Sequence, residues 1–355
     1  MTTALLFYGL PFLVSFAVSL AGAYYLSRRC WATRGRACGP ILKRRITRLG
    51  GVAIIAGFLT ALAFHPSLAF SNALIWVLLG GGIVALTGIL DDFYDWPAWA
   101  QLAGQLGGAL VAVSGGISLG VLNNPAGGPG ISLDWWLVGP WAIPEALVLV
   151  LWLVVMMNAL NWLDGLDGLA ASTGLISALA LFGLSLLPSV NQPSSASLAI
   201  ILAGALAGFL VLNWPPAKIF LGTTGSTVVG FLIGALAIMA GSKLATALMV
   251  LAVPVIDALM VLWLRIKSRH PLTRADFRHI HFRLRRRGLS ERRVLAILLG
   301  LTTLFGVLSV AAPSGIKGLL LLIMILAMVW QIIKSALKKN GVAVDNNKRL
   351  PKISV

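Results

Sequence analysis

Eleven apolar stretches joined by polar connections run through this sequence: 4–26, 49–64, 72–90, 98–117, 144–158, 169–187, 196–213, 226–241, 244–265, 294–312 and 315–335. With 58% of 355 residues apolar and 11% charged, the chain cannot coat one soluble core of that size, since single cores stop growing near ~300 residues. A bilayer removes the difficulty, because lipid solvates apolar side chains and asks only that backbone hydrogen bonds close within helices or barrels. Stretches of this length suit helices. The expected fold class is an all-α polytopic membrane protein of about 11 transmembrane helices, with 1–335 as one membrane domain and 336–355 as a basic tail. The first stretch lacks a basic leader region and a small-residue cleavage site, so it reads as a membrane helix and not as a removable signal. Cys30 and Cys38 lack metal-site spacing and read as free thiols.

Charge tests the division. Under alternation of sides, 26 of the 28 Lys and Arg fall on one side, and only Lys243 and Lys317 fall opposite. That bias is the mark of cytoplasmic loops, so the N-terminus is expected outside and the C-terminus in the cytoplasm. The net charge of +17 therefore reports topology, and no nucleic-acid partner is expected. Nine of the eleven acidic residues lie on the same side or at its boundary, the exceptions being Asp134 and Glu145. Positive-inside bias does not predict this. Ionisable groups at a membrane edge are costly unless used or paired.

Four polar groups collect there. Asp91-Asp92-Phe93-Tyr94-Asp95 closes the third stretch; adjacent carboxylates repel, and Mg²⁺ bound to phosphate oxygens would stabilise them, although a solvated helix end is the plain alternative. Asn158, Asn161, Asp164 and Asp167 recur every third residue into Asp-Gly breaks, which suits a helix end that tightens or unwinds around a ligand, or a polar turn that caps the next helix. Lys218-Ile-Phe-Leu-Gly222-Thr223-Thr224-Gly225-Ser226 places small residues at a helix entry, fit for an anion or a simple N-cap. Arg278-His279-Ile280-His281-Phe282-Arg283 joins Arg and His in a pattern that fits phosphate better than zinc. The turn-rich segment 118–143 offers little chemistry.

Arg48-Leu-Gly-Gly51, Asp91-Asp92, Asn161-Trp-Leu-Asp164-Gly-Leu-Asp167-Gly with Phe220-Leu-Gly222 and Gly225-Ser226, and His279-Ile-His281 follow one another in an order that resembles the polyprenyl-phosphate N-acetylhexosamine-1-phosphate transferases. The likeness runs from about 44 to 290 and is nearer to the branch that begins O-antigen and related polysaccharides than to the peptidoglycan branch. It implies transfer of a sugar 1-phosphate from a UDP-N-acetylhexosamine to undecaprenyl phosphate, with release of UMP, on the cytoplasmic face of a bacterial inner membrane. The implied cofactor is Mg²⁺, with Mn²⁺ as an alternative; a homodimer is compatible with the resemblance. It assigns Asp91, Asp92, Asp164, Asp167 and His279 to catalysis. Arg44, Arg48, Asn158, Lys218, Gly222, Gly225, Ser226, His281 and Arg283 would bind substrate, and Asp92, Asn161 and Thr223 would face the metal.

Two positions depart from the family pattern. Thr223 stands where relatives carry a metal-binding Asp, and Gln101 where many carry Arg or Lys, so one anion and one cation are missing together. A weaker metal site, an altered donor and a non-catalytic lipid-carrier-binding protein all follow as alternatives. A proton- or cation-coupled transporter is the competing class, but it wants ionisable groups near the midplane, where only Asp257 lies.

Overall fold

The computed structural model describes residues 5–28, 46–65, 68, 70–119, 121–122, 130–139, 141–240, 248–249, 251–267, 278–312, 316–317, 319–320, 322–323 and 326. Arg44, both cysteines and the tail 336–355 lie outside the described residues. The helices are α1 (Leu10–Arg28, entered through a π-helical turn Leu5–Gly9), α2 (Gly50–Ala63), α3 (Asn72–Tyr94), α4 (Ala98–Ser114), α5 (Ile143–Leu163) and α6 (Leu169–Ser185). They continue with α7 (Pro193–Asn213), α8 (Gly222–Met239), α9 (Ala252–Lys267), the short α10 (Ile280–Arg286) and α11 (Glu291–Ala311). Six of these stretches, beginning at Leu6, Asn72, Ile143, Pro193, Gly222 and Glu291, are long and apolar enough to cross a bilayer, and α2 and α6 are shorter apolar helices. The chain is an all-α, multi-pass membrane protein. The connector 118–143 adds what the all-α expectation omitted, two small antiparallel ladders, β1 (Val121–Leu122) with β2 (Ile131–Ser132) and β3 (Leu137–Val138) with β4 (Trp141–Ala142).

Burial sorts the helices into layers. α8 is apolar almost all round and is enclosed by α2, α3, α5 and α6, while α7 is buried against α1 and α6. Leu13, Leu86, Leu147, Leu151 and Val307 on the outer helices are exposed, as lipid-facing side chains should be. Buried polar atoms tie helices across the core: Ser15 Oγ donates to Ile201 O at 2.8 Å and Trp152 Nε1 to Gly234 O at 3.0 Å.

Three helices overrun their apolar stretches. α3 continues four residues past Leu90 and takes Asp91 and Asp92 with it; α5 continues to Leu163, and α8 begins at Gly222 instead of 226. The functional motifs therefore lie on helix ends that face one another.

Candidate functional site

The site forms where the start of α2, the ends of α3 and α5 and the start of α8 meet. Gly50 N donates to Phe220 O at 3.0 Å, Gly51 N to Leu221 O at 2.9 Å and Phe220 N to Thr47 O at 2.9 Å, so the two helix entries are laced backbone to backbone. This contact explains the Arg48-Leu-Gly-Gly motif. A Cβ on Gly51 would stand 2.2 Å from Gly225 N and 2.6 Å from Gly225 Cα. Gly222 has φ +74°, and a Cβ there would stand 2.1 Å from Arg48 O, so only glycine serves at this turn.

Asp92, buried at the end of α3, fills the entry of α8. Its Oδ1 accepts from Thr223 N at 2.8 Å, and its Oδ2 accepts from Thr224 N at 3.0 Å and Thr224 Oγ1 at 2.6 Å. The helix entry expected to serve an anion thus receives the protein's own carboxylate at Thr223 and Thr224. Gly225 packs on Gly51, and Ser226 Oγ donates to Asn161 Oδ1 at 2.9 Å. Asn158 is likewise engaged inside the bundle, donating to Gln105 Oε1 at 2.6 Å. Lys218 is exposed, on the loop between α7 and α8.

The polar stripe on α5 ends by tightening. Asp164 N bonds to Asn161 O at 3.3 Å and Gly165 N to Leu163 O at 2.8 Å, which turns the chain toward α6. Burial pushes the Asp164 carboxyl up to about 7; the neighbouring Asp92 and Asp167 charges add to this, while Arg48 and the Gly222 N–H oppose it. Asp167 Oδ2 accepts from Ala217 N at 2.9 Å, and Asn213 bridges Gly168 N at 3.1 Å and Ile219 O at 2.8 Å. Asp167 and Asn213 brace loops, a task that the sequence motif did not reveal for either.

On the third side, His279 and His281 stack with ring centroids 5.8 Å apart and planes 6° apart, and Trp162 lies 5.9 Å from His279. His281 is fully buried against the Gly165 turn; burial brings its pKa down to about 4, and neither ring nitrogen bonds to a described residue. Arg283 is half-buried nearby, and burial also lowers its pKa. Asp257, which the sequence left aside, is buried in α9 and bonds to His279. A carboxylate within an apolar stretch was its visible signal.

Residues 74–241 match glycosyl transferase family 4. The chain is 32% identical over 295 residues to a probable undecaprenyl-phosphate N-acetylglucosaminyl 1-phosphate transferase of Bacillus subtilis, covering 81% of this chain and 79% of the relative. The chain belongs to the polyprenyl-phosphate N-acetylhexosamine-1-phosphate transferase family. A decaprenyl-phosphate N-acetylglucosaminephosphotransferase of Mycolicibacterium smegmatis is 34% identical over 283 residues, 71% of this chain and 68% of the relative. A putative UDP-N-acetylglucosamine–dolichyl-phosphate N-acetylglucosaminephosphotransferase of Sulfolobus acidocaldarius is 26% identical over 320 residues, 85% of this chain and 94% of the relative.

The two departures from the family pattern are neighbours in space. Gln101 Nε2 donates to Asp91 Oδ1 at 2.7 Å, so a neutral amide sits where the Asp pair would meet a cation. Gln101 and Thr223 line one cavity of about 10 Å³ with Thr87, Gly88, Gln105 and Thr227, room for a single water. Among the described residues no three His, Cys, Asp or Glu side chains form a metal cage. The Asp92 and Asp167 charges nevertheless both act on Asp164, with Arg48 as the opposing charge there. That surplus of carboxylate fits a hard divalent cation, which needs only one or two carboxylates beside substrate phosphate.

Proposed function

We propose that this transferase moves N-acetylhexosamine 1-phosphate from a UDP-sugar to undecaprenyl phosphate, releasing UMP and beginning a cell-surface polysaccharide. The observation that carries this is the meeting of Asp91, Asp92, Asn161, Asp164, Arg48 and His279 at one end of a membrane bundle, in a chain of this family. An apolar cleft of about 450 Å³, lined by Thr87, Trp96, Pro97, Trp99 and Ala103, opens beside the Asp pair and suits a prenyl chain. The 26-to-2 partition of Lys and Arg supports eleven spans, an outer N-terminus, and a site facing the cytoplasm of the bacterial inner membrane, where nucleotide sugars are made.

Phosphoryl chemistry of this kind rests on positioning and charge neutralisation. Asp91, whose Oδ1 accepts from Gln101, would accept the proton of the lipid phosphate or orient it for attack. Asp164 and Asn161, with Asp92 anchoring them through α8, are the residues that would hold Mg²⁺ or Mn²⁺; such an ion neutralises diphosphate charge when bound. Thr223 contributes only a hydroxyl there. Arg48, Arg283 and His279 offer donors to phosphate and sugar oxygens.

The test is purified protein in detergent with labelled UDP-N-acetylhexosamines, undecaprenyl phosphate and Mg²⁺, followed by lipid extraction. Labelled lipid that disappears with EDTA and returns with Mg²⁺ is the expected result. No labelled lipid with any donor, from protein that remains folded, would sink the assignment in favour of the non-catalytic alternative.

A further inference from the structure

Asp257 belongs to none of the motifs, yet its carboxylate is fully engaged. Its Oδ2 lies 2.9 Å from His279 Nδ1, and its Oδ1 accepts from Ile280 N at 2.8 Å. Both side chains are buried, with 4% and 5% of their surface exposed. A carboxylate facing a ring nitrogen at this distance accepts a hydrogen bond, so Nδ1 carries the proton and, in the neutral ring, Nε2 carries the lone pair. The second bond, to the amide of the next residue, fixes the carboxylate against the same stretch of backbone that bears the imidazole. The ring plane is set independently by His281, stacked 5.8 Å away at 6°, and by Trp162 at 5.9 Å. Arg265, eight residues after Asp257 on α9, lies 5.5 Å above the Trp162 ring. One helix thus supports both the imidazole and the aromatic beside it. His279 Nε2 bonds to no described residue.

We infer that Asp257 is a positioning residue of the transfer site: it holds His279 in the Nδ1–H tautomer and leaves Nε2 as the nitrogen that meets the donor substrate. This rests on the transferase function proposed above, with His279 in its site. The role parallels that of a buried carboxylate that fixes the tautomer of a catalytic imidazole without itself exchanging a proton. A purely structural Asp257 would matter only for the fold of the segment that begins α10.

Asp257→Asn separates the two roles. The amide oxygen still accepts from Ile280 N, while the NH₂ group replaces Oδ2 and donates to Nδ1, which forces the proton onto Nε2. Size and backbone contact are kept, and the tautomer is reversed. Long-range ¹⁵N–¹H spectra of histidine-labelled protein in detergent, assigned by loss of the His279→Ala signal, should show Nδ1–H in the wild type and Nε2–H in Asp257→Asn. Transfer should fall by about 10²- to 10⁴-fold in the folded variant. In a His279→Ala background, Asp257→Asn should cost nothing further, because its effect passes through the ring.

A wild-type Nε2–H signal, full activity in Asp257→Asn, or a loss that multiplies with that of His279→Ala would each overturn the inference. If Asp257→Asn does not fold, the wild-type spectrum alone still decides the tautomer. An active wild type with an indifferent Asp257→Asn defeats this inference only, whereas an inactive wild type defeats the transferase function as well.

Discussion

Replacing Asp92 by Asn asks how much of this carboxylate's work is structural. Its two oxygens accept three bonds, from Thr223 N at 2.8 Å, Thr224 N at 3.0 Å and Thr224 Oγ1 at 2.6 Å. Asn offers one acceptor and turns an NH₂ group toward the remaining donors. The Thr224 hydroxyl can rotate to accept, but a backbone N–H cannot, so one amide at the start of α8 loses its partner in either orientation. An unsatisfied buried N–H costs about 1–3 kcal/mol. Losing a negative charge at the α8 N-terminus costs roughly 0.3–1 kcal/mol more, which relief of the same charge at the α3 C-terminus offsets, so the total stays near 1–3 kcal/mol. Thr224→Val, which removes one hydroxyl donor and keeps the shape, should cost about 1 kcal/mol. Thermal unfolding in detergent, read by tryptophan fluorescence, should therefore rank Asp92→Asn below Thr224→Val, with both below wild type. Transfer by Asp92→Asn, measured below its melting range, should drop by about 10²–10³. A wild-type melting curve for Asp92→Asn would refute the anchoring argument, and an early melt with normal turnover would remove Asp92 from catalysis.

Gly51→Ala places a methyl group 2.2 Å from Gly225 N, where neither backbone can yield, so it should lower stability by about 2–3 kcal/mol. Gly82→Ala, which meets nothing within 4 Å, should melt like wild type or slightly higher; equal curves for all three proteins would show that α2 and α8 are not in contact. His281 has its pKa lowered from 6.5 to about 4, so the folded state holds it neutral while an unfolded chain takes up a proton. Stability from this residue is present above pH ~6.5 and lost as pH falls toward ~4, about 3 kcal/mol in all, and His281→Gln should flatten the fall in melting temperature between pH 7.5 and 5. Identical pH slopes would contradict this. Thr223→Asp alone adds a carboxylate beside Asp92 with Gln101 neutral, so it should impair transfer. Adding Gln101→Lys should restore the rate and lower the Mg²⁺ concentration for half-maximal activity, and an unchanged requirement in both variants would place position 223 away from the metal.

Ten of the apolar stretches fall on described helices because lipid exposure is a local property of the chain, while α10 falls on none. They misplaced the ends of α3, α5 and α8 because hydropathy measures depth in the bilayer and not helix length. Asp91 and Asp92 look like an exit into water, but α3 runs through them, since α8 supplies the donors that water would have supplied. Those donors lie 131 and 132 residues away, and no periodicity reports such a pairing. Asn213 and Ala217 escaped notice for the same reason: their partners, Gly168 and Asp167, are 45 and 50 residues away. The cost of charge at a membrane edge drew attention to Asp91, Asp92 and Asp164, which lie on helix ends of the same face. Asp257, inside an apolar stretch, stood apart from that edge, and its partner His279 lies 22 residues away.

A helix C-terminus is a poor place for a carboxylate, because the last carbonyls already carry partial negative charge, worth roughly 0.3–1 kcal/mol against each acid placed there. Asp91 and Asp92 sit in the last turn of α3 and Asp164 caps α5, so all three oppose their own helices. α8 resolves the conflict by bringing its N-terminus between them: Thr223 and Thr224 donate to Asp92, and the Gly222 N–H faces Asp164. The close approach requires Gly51 and Gly222, which ties the glycine motifs to the carboxylate motifs in one electrostatic arrangement. Asp92 spends three of its roughly four acceptor sites on this duty. The acceptors that would be left for a cation are chiefly those of Asp164, Asn161 and Asp91, and the residue facing Asp91 is neutral Gln101. At Asp92 the charge is met by the N–H groups that open α8, and at Asp164 by Arg48 first and the Gly222 N–H second, so the placing of α8 and of Arg48 together sets the charge balance of the site.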